Sequence, residues 1–376
     1  MDTSEGKLTL SNTFVIAEAG VNHNGDLGLA LEMIDAAASA GADAVKFQTA
    51  IPEEVVAAHA PKAEYQKLAT GTAESQLEMV RKLHFVENRD TAYAALVERA
   101  AARGIEFLST PFDLPSLRFL VEKLGLETIK LASGEITNGP LLLEAARSGR
   151  DIILSTGMAA LEEVGEALGV LAFGMAERHA RPSLSAFAKA AESPEARARL
   201  AAKVTLLHCV TAYPAPFEAA NLRAMDTLRG AFGLPVGISD HTTGIVVAVA
   251  AAARGATVIE KHFTMDRELP GPDHAASLEP DEFKAMVAAV RDVERALGDG
   301  RKEPQPCELP NIPIARRSVV AREPIAKGMR FTEKNLAVKR PGTGISPMRY
   351  WELIDKFSTR DYDIDALLDE GELNED

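Results

Sequence analysis

A closed eight-stranded α/β barrel followed by a small second domain is what this sequence predicts, and three observations carry the prediction. One pattern repeats through the first 290 or so of its 376 residues: a short β-rich run, a polar cluster, then an Ala-rich amphipathic stretch. The pattern occurs eight times over a length suited to one barrel, and parallel strands joined by right-handed crossovers close naturally at that number. The third observation is chemical. The polar residues gather at the C-terminal ends of the runs, which is the face where such a barrel builds its active site.

The eight runs are FVIAEAG, AVKFQT, EFLSTPF, TIKLASGE, DIILSTG, VTLLHC, PVGISD and TVIEKHF. Between them, segments such as LGLALEMIDAAASAGA and AYAALVERAAARGI place apolar residues at i, i+3, i+4 and i+7, and glycine often closes them as at a helix C-terminus. NHNGD at 22–26 predicts a turn and a helix entry, because Asn and Asp cap well; His23 there is either functional or a brace for the loop. One insertion interrupts the repeat between the fifth helix and the sixth strand, residues 174–203. Its alternating charges predict extra surface helix and leave His179 exposed. The expected organisation is a barrel over 1–290, a Pro- and Gly-dense linker over 291–313, and a compact module over 314–376 that is small enough to need a docking partner.

Bulk properties narrow the function. A formal net charge of −14 argues against a nucleic-acid partner, whose phosphates need a cationic face. No apolar run approaches the ~18 residues of a membrane span, and MDTSEGKLTL lacks the pattern of a secretory leader. The two cysteines, Cys209 and Cys307, are too few for a disulfide scaffold and lack metal-ligand spacing; Cys209 reads as a buried, inert thiol. Together these features predict a cytoplasmic protein.

The strand ends carry Glu18, Lys46 with Gln48, Thr110, Lys130 with Ser133 and Glu135, Ser155, His208, Asp240 with His241, and Glu260 to His262. His241 and His262 end neighbouring strands and can share one divalent ion with positions left open for substrate and water, or each can brace a loop. Asp240 and Glu260 are candidates to orient those imidazoles. Lys46 and Lys130, ringed by Thr110, Ser133, Ser155 and Ser239, suit a phosphate or a phosphate-plus-carboxylate ligand, or else ion pairs with Glu18 and Glu135. Glu18 and Glu135 suit proton transfer or hydrogen bonds to sugar hydroxyls. Tyr213 can wall the pocket. Strand alternation turns Lys261 away from the barrel interior and out of the chemistry.

The ordered set IAEAGVNHNGD, VKFQT, STPFD, IKLASGE, LSTGM, LHC with YP, GISDHT and IEKHFT, then VKRPGTGISP in the tail, resembles the sialic acid synthase family over nearly the whole chain. These bacterial nonulosonate synthases make N-acetylneuraminate, legionaminate or pseudaminate. The resemblance implies a (β/α)8 TIM barrel with a C-terminal SAF (antifreeze-like, β-clip) domain and a domain-swapped homodimer. It implies condensation of phosphoenolpyruvate (PEP) with an N-acylated mannosamine-type sugar, aided by a divalent metal: Mn2+, with Mg2+ or Co2+ as alternatives. By motif it assigns His241 and His262 to the metal, and Glu18 to catalysis with them. Lys46, Thr110, Lys130, Ser133, Ser155 and Ser239 fall to PEP, and Gln48, Glu135, Tyr213, Asp273 and Arg340 to the sugar, Arg340 reaching the partner subunit's site. LASGEITNGPLL, GVLAFG and the 174–203 insertion look more like legionaminate-type members. A barrel aldolase is disfavoured by the SAF-like tail and the HFT histidine, and a purely carbohydrate- or ice-binding protein by the intact strand-end Lys, Glu and His set.

Overall fold

The structure is a computed structural model and describes residues 12–70, 74–177 and 179–374. The segment MDTSEGKLTL, read above for a leader, lies outside the described residues. Eight parallel strands form one sheet: β1 Phe14–Gly20, β2 Ala44–Thr49, β3 Glu106–Pro111, β4 Thr128–Leu131, β5 Asp151–Ser155, β6 Val204–Cys209, β7 Val236–Asp240 and β8 Val258–His262. Each coincides with a run identified in the sequence. Registered ladders join β3-β2-β1-β8-β7-β6-β5-β4 in that order, and β3 packs against β4 to complete the circle. The fold of this unit is a (β/α)8 barrel.

Side chains alternate across each strand, and the sequence uses that alternation to build two cores. Val15, Ala17, Val45, Phe47, Phe107 and Ile129 face outward and pack under the helices. Ile16, Ala44, Leu108, Ile153, Leu207 and Val258 form a separate inward cluster, a dry plug across the lower barrel. Each fully buried aliphatic side chain contributes roughly 1.5–3 kcal/mol relative to exposure, and the plug also closes the lower end to water. At the matching inward position of β7 the residue is Gly237, where a Cβ would stand 2.2 Å from the Val258 carbonyl oxygen. The β7–β8 approach therefore excludes any side chain there.

The helices begin and end as local chemistry dictates. Asp26 caps Leu27–Ser39 by accepting from the Leu29 N–H at 3.1 Å, as the NHNGD loop predicts. Arg89–Arg103 and Gly139–Ser148 stop at Gly104 and Gly149, both left-handed. The last barrel helix, Pro280–Leu297, runs past the expected boundary at 290 because Phe283, Met286, Val287 and Val290 keep its apolar face on the core. The insertion after β5 forms helices Leu184–Glu192 and Pro194–Lys203, with His179 exposed. A second excursion, absent from the repeat pattern read in the sequence, follows β2 as three short helices: Pro52–Val55, Glu64–Thr70 and Gln76–Leu83.

The chain divides into two compact units, Met1–Gly298 and Asp299–Asp376. In the second, β9 Ser318–Ala321 and β10 Leu336–Lys339 pair antiparallel, and single bridges join Val320 to Leu367 and Ile325 to Tyr362. Its core is built on Val319, Ile325, Phe331, Leu336, Leu353 and Tyr362. The buried Glu372 ties the C-terminal turn to it, accepting from Tyr362 Oη at 2.8 Å and Thr359 Oγ1 at 2.9 Å.

Candidate active site

One step up each strand from the apolar plug, along the same inward face, the residues change from aliphatic to polar. Ile16 gives way to Glu18, Ala44 to Lys46, Leu108 to Thr110, Ile153 to Ser155, Leu207 to Cys209 and Val258 to Glu260, with Lys130 and Ser239 completing the tier. All are buried. Lys46 pairs with Glu18, donates to Thr110 Oγ1 at 3.1 Å and lies 3.6 Å from Glu260 Oε2. Lys130 stands 3.3 Å from Glu260 Oε1, which also accepts from Ser239 Oγ at 2.8 Å. Two ammonium groups thus share two carboxylates in a water-poor chamber.

The tier separates its two acids. Burial pushes the Glu18 carboxyl above its usual range, with Glu260 adding to the rise against the opposing pull of Lys46. Glu260 is buried as well, but Lys130, Lys46 and the Ser239 hydroxyl outweigh that and hold it well below the carboxylate range. Burial lowers the Lys130 ammonium, whereas Glu18 and Glu260 overcome burial at Lys46 and raise it. Acids pushed apart in this way take different roles, Glu18 as the group able to exchange a proton and Glu260 as fixed charge.

The next inward step brings Gln48, His241 and His262. Gln48 Nε2 donates to Glu18 Oε1 at 3.3 Å. The imidazole centroids lie 5.1 Å apart, with the Tyr213 ring 4.3 Å from His241 and 5.5 Å from His262. His241 Nδ1 stands 2.8 Å from the Val210 carbonyl, which can only accept, so Nδ1 carries the proton and Nε2 keeps its lone pair. His262 Nδ1 is buried without a hydrogen-bond partner, and Asp273 Oδ2 is 4.0 Å away. Burial and the neighbouring His241 keep His262 neutral, its pKa well below the ordinary value. At His241 burial works downward too, but the hydrogen bond and negative charge of the Cys209 sulfur, with the Val210 carbonyl, prevail and raise it, and the Cys209 thiol is lowered in turn. Burial and Glu18 lift Asp273 to about 6.

These groups line a cavity of about 300 Å³ together with Ser133 and Ser155. Ser133 Oγ accepts from the Gly157 N–H at 3.0 Å, where a Cβ on residue 157 would stand 2.8 Å from that oxygen. Ser155 Oγ is buried with no partner. The opposite wall is apolar: Val55, Met79, Val80 and Leu83, from the short helices after β2, meet Val21. Glu135 stands on the turn Ser133–Glu135 outside the cavity lining, held by Asn138 Nδ2 at 2.6 Å, with burial raising its carboxyl. Arg340 belongs to the second unit, exposed, with its Nε donating to the Ala315 carbonyl at 3.1 Å.

Of the fourteen residues singled out for the site, the cavity gathers all but Glu135 and Arg340. Four neighbours depart from expectation. Asp240 touches neither imidazole: it faces outward and pairs with Lys261 at 2.7 Å. Glu260 serves the lysines and Ser239, and it, not Glu135, is the partner of Lys130. His208 also faces outward, its Nε2 2.8 Å from the Ala220 carbonyl. Cys209, expected to be an inert core thiol, lines the cavity with Sγ 3.7 Å from His241 Nδ1. Its parity with Leu207 was the available signal. His23 is a loop brace, stacked on Phe85 at 4.4 Å and accepting from the Gly25 N–H.

A barrel whose C-terminal mouth holds two buried lysines, two divergent acids and a pair of imidazoles has the groups of an enzyme site able to take a small anion. The particular family follows from comparison. The NeuB family model matches residues 33–302 and the SAF domain model residues 316–359. The chain belongs to the NeuB family. It is 48% identical to N,N'-diacetyllegionaminic acid synthase of Campylobacter jejuni, over 96% of this chain and 100% of that one. Identity to the Legionella pneumophila protein of the same name is 45%, covering 89% and 87%. Among solved structures, the N-acetylneuraminic acid (sialic acid) synthetase of Leptospira borgpetersenii, crystallised with citrate, matches at a TM-score of 0.63 and 38% identity, over 80% of this chain and 90% of that one.

Proposed function

We propose that this protein condenses PEP with an N-acylated mannosamine-type sugar, breaking the C–O bond and releasing phosphate to give a nonulosonic acid. The acceptor we favour is 2,4-diacetamido-2,4,6-trideoxymannose, which makes the product N,N'-diacetyllegionaminate rather than N-acetylneuraminate, the product from N-acetylmannosamine. The observation that carries the reading is the two-lysine, two-glutamate tier beneath the histidine pair. The finer choice of acceptor is supported by the two relatives at 48% and 45% identity and by the Val55–Met79–Leu83 wall, which suits a sugar bearing more methyl groups.

In this scheme Lys46 and Lys130 take up the phosphate and carboxylate of PEP, exchanging their glutamate contacts for the incoming anion. Thr110, Ser133, Ser155 and Ser239 donate around it, Ser155 Oγ being without a partner among the described residues. Held there, PEP needs little reorganisation to react. C3 of PEP forms the bond to the aldehyde carbon of the open-chain sugar, and the aldehyde oxygen takes a proton. Water then adds at C2 and loses a proton, and the C–O bond to phosphate breaks to leave the 2-keto acid. Glu18, raised by burial and hydrogen-bonded by Gln48, is placed to carry a proton in these steps. Gln48, Tyr213 and Asp273, with Glu135 beside the cavity, orient the sugar.

The residues present fit a divalent ion. His262 Nδ1 is an orphaned buried nitrogen, and His241, whose Nδ1 faces the Val210 carbonyl, has only Ser239 Oγ near its Nε2 at 3.5 Å, so two imidazoles would hold the ion. Among the described residues no cluster of three or more His, Cys, Asp or Glu forms a closed metal cage. Bound there, Mn2+ or a similar ion supplies Lewis-acid polarisation of the aldehyde oxygen. We further propose a domain-swapped homodimer in which the exposed Arg340 serves the partner's sugar. Free Cys209 and Cys307 support a cytoplasmic location.

One assay tests the core of this. The protein is incubated with PEP and Mn2+ plus either N-acetylmannosamine or the diacetamido-trideoxy sugar, and phosphate release is followed with and without EDTA. Metal-dependent release favouring the second sugar is expected. Release with neither sinks the reading, and a preference for N-acetylmannosamine overturns the choice of acceptor.

A further inference from the structure

Directly behind the histidine pair, on the helix side of the barrel wall, lies a second buried charge cluster that the reaction does not use. Lys261 has no exposed surface, and its Nζ pairs with Asp240 Oδ2 at 2.7 Å while also donating to the Thr242 carbonyl. Asp240 Oδ1 accepts from the Thr242 N–H at 2.9 Å and from Thr242 Oγ1 at 2.8 Å. Asp240 and Lys261 form the last registered pair of the β7–β8 ladder. Beyond it the backbone of 241–242 leaves β8, with Ala215 on its other side donating to the His241 carbonyl at 2.8 Å.

The placement is specific. His241 is bracketed by Asp240 and Thr242, and Lys261 immediately precedes His262. Burying an ion pair carries a desolvation cost that apolar residues of similar size avoid, so such a pair adds little net stability. What this one does add is geometry. It binds both peptide groups of Thr242 at the point where the sheet's own hydrogen bonds stop. Without it, the chain carrying His241 would be held by Val210 and Ala215 alone, with nothing at 241–242 tying it to the strand that carries His262.

We propose that Lys261, Asp240 and Thr242 form a clamp outside the barrel that sets the separation of the His241 and His262 imidazoles, and thereby the protein's affinity for a divalent cation. The three are positioning residues, and none touches the cavity contents. The proposal rests on the reading of the two histidines as a metal site.

The test removes the clamp while preserving the packing. In the Lys261→Met/Asp240→Leu protein, two apolar side chains fill the space of the ion pair. Mn2+ binding to chelator-stripped full-length protein is measured by calorimetry or by the EPR signal of free Mn2+, alongside the melting temperature. The expected result is a dissociation constant raised about tenfold or more with a melting temperature within about 5 °C of the parent. A double variant that binds Mn2+ as tightly as the parent overturns the clamp and leaves the metal reading standing. A parent protein that takes up no Mn2+ overturns the metal reading itself. Thr242→Val guards against a fold effect, since it keeps the ion pair and deletes one hydroxyl; a smaller weakening of about threefold is expected, and none counts against the clamp.

Discussion

Two sets of lysine–carboxylate contacts lie on opposite sides of the same barrel wall, and they differ in one respect. Inside, Lys46 and Lys130 share Glu18 and Glu260, yet beside them Ser155 Oγ and His262 Nδ1 find no hydrogen-bond partner among the described residues. Outside, Lys261 and Asp240 spend their bonding capacity on each other and on Thr242, leaving no orphaned atom. Both sets join buried lysines to buried carboxylates. The difference is that the inner set adjoins buried polar atoms left without partners, whereas the outer set satisfies every one of its own. Unsatisfied valence, and not the presence of buried charge, separates the candidate site from a structural clamp.

The largest effect should come from breaking the complete set on one side only. Lys261→Met alone strands Asp240 in an apolar layer, and a loss of roughly 3–5 kcal/mol is expected from urea unfolding. A shift of the unfolding midpoint too small to resolve would mean that the outer pair is not clamped as described. The inner set should respond oppositely. Lys130→Met leaves Lys46 to both glutamates, so stability should change less, while kcat/KM for PEP should fall by about 10²–10³. If this variant instead unfolds and keeps its turnover per folded molecule, the two sets have been assigned the wrong way round.

The smallest effect at neutral pH concerns an orphan outside the cavity. His23 Nε2 is buried without a partner, and burial holds the imidazole down to about 3. Its unfolded value lies near 6.5, so between pH 6.5 and 3 the unfolded chain binds one more proton than the native state. Stability is therefore complete above pH 6.5 and falls as the pH drops, by about 1.4 kcal/mol per pH unit from this group. His23→Phe should remove about one proton from the acid-limb linkage without altering activity at neutral pH. Loss of activity would place His23 with the inner set rather than with the braces.

Much of this was legible beforehand, for reasons visible in particular residues. The alternation Ile16–Glu18, Ala44–Lys46 and Val258–Glu260 is a local record of the barrel's inward face, since strand side chains repeat every second residue. The same rule set Lys261 apart from His262. Applied consistently, it would also have turned His208 and Asp240 outward and brought Cys209 in. The helices after β2 escaped because each is short, between four and eight residues, with too few turns to show a helical period.

By itself, then, the sequence determined the eightfold strand–helix order, the parity of each strand and the family to which the chain belongs. These depend on spacing along the chain, which the sequence records directly. Only the tertiary structure decided that Glu260 would serve both lysines, that Lys261 would lock to Asp240, and that Met79 and Leu83 would wall a cavity made by strands far from them in sequence. Those outcomes depend on which side chains meet when the barrel closes, and charge pairing falls off too steeply with distance to be read from composition or period.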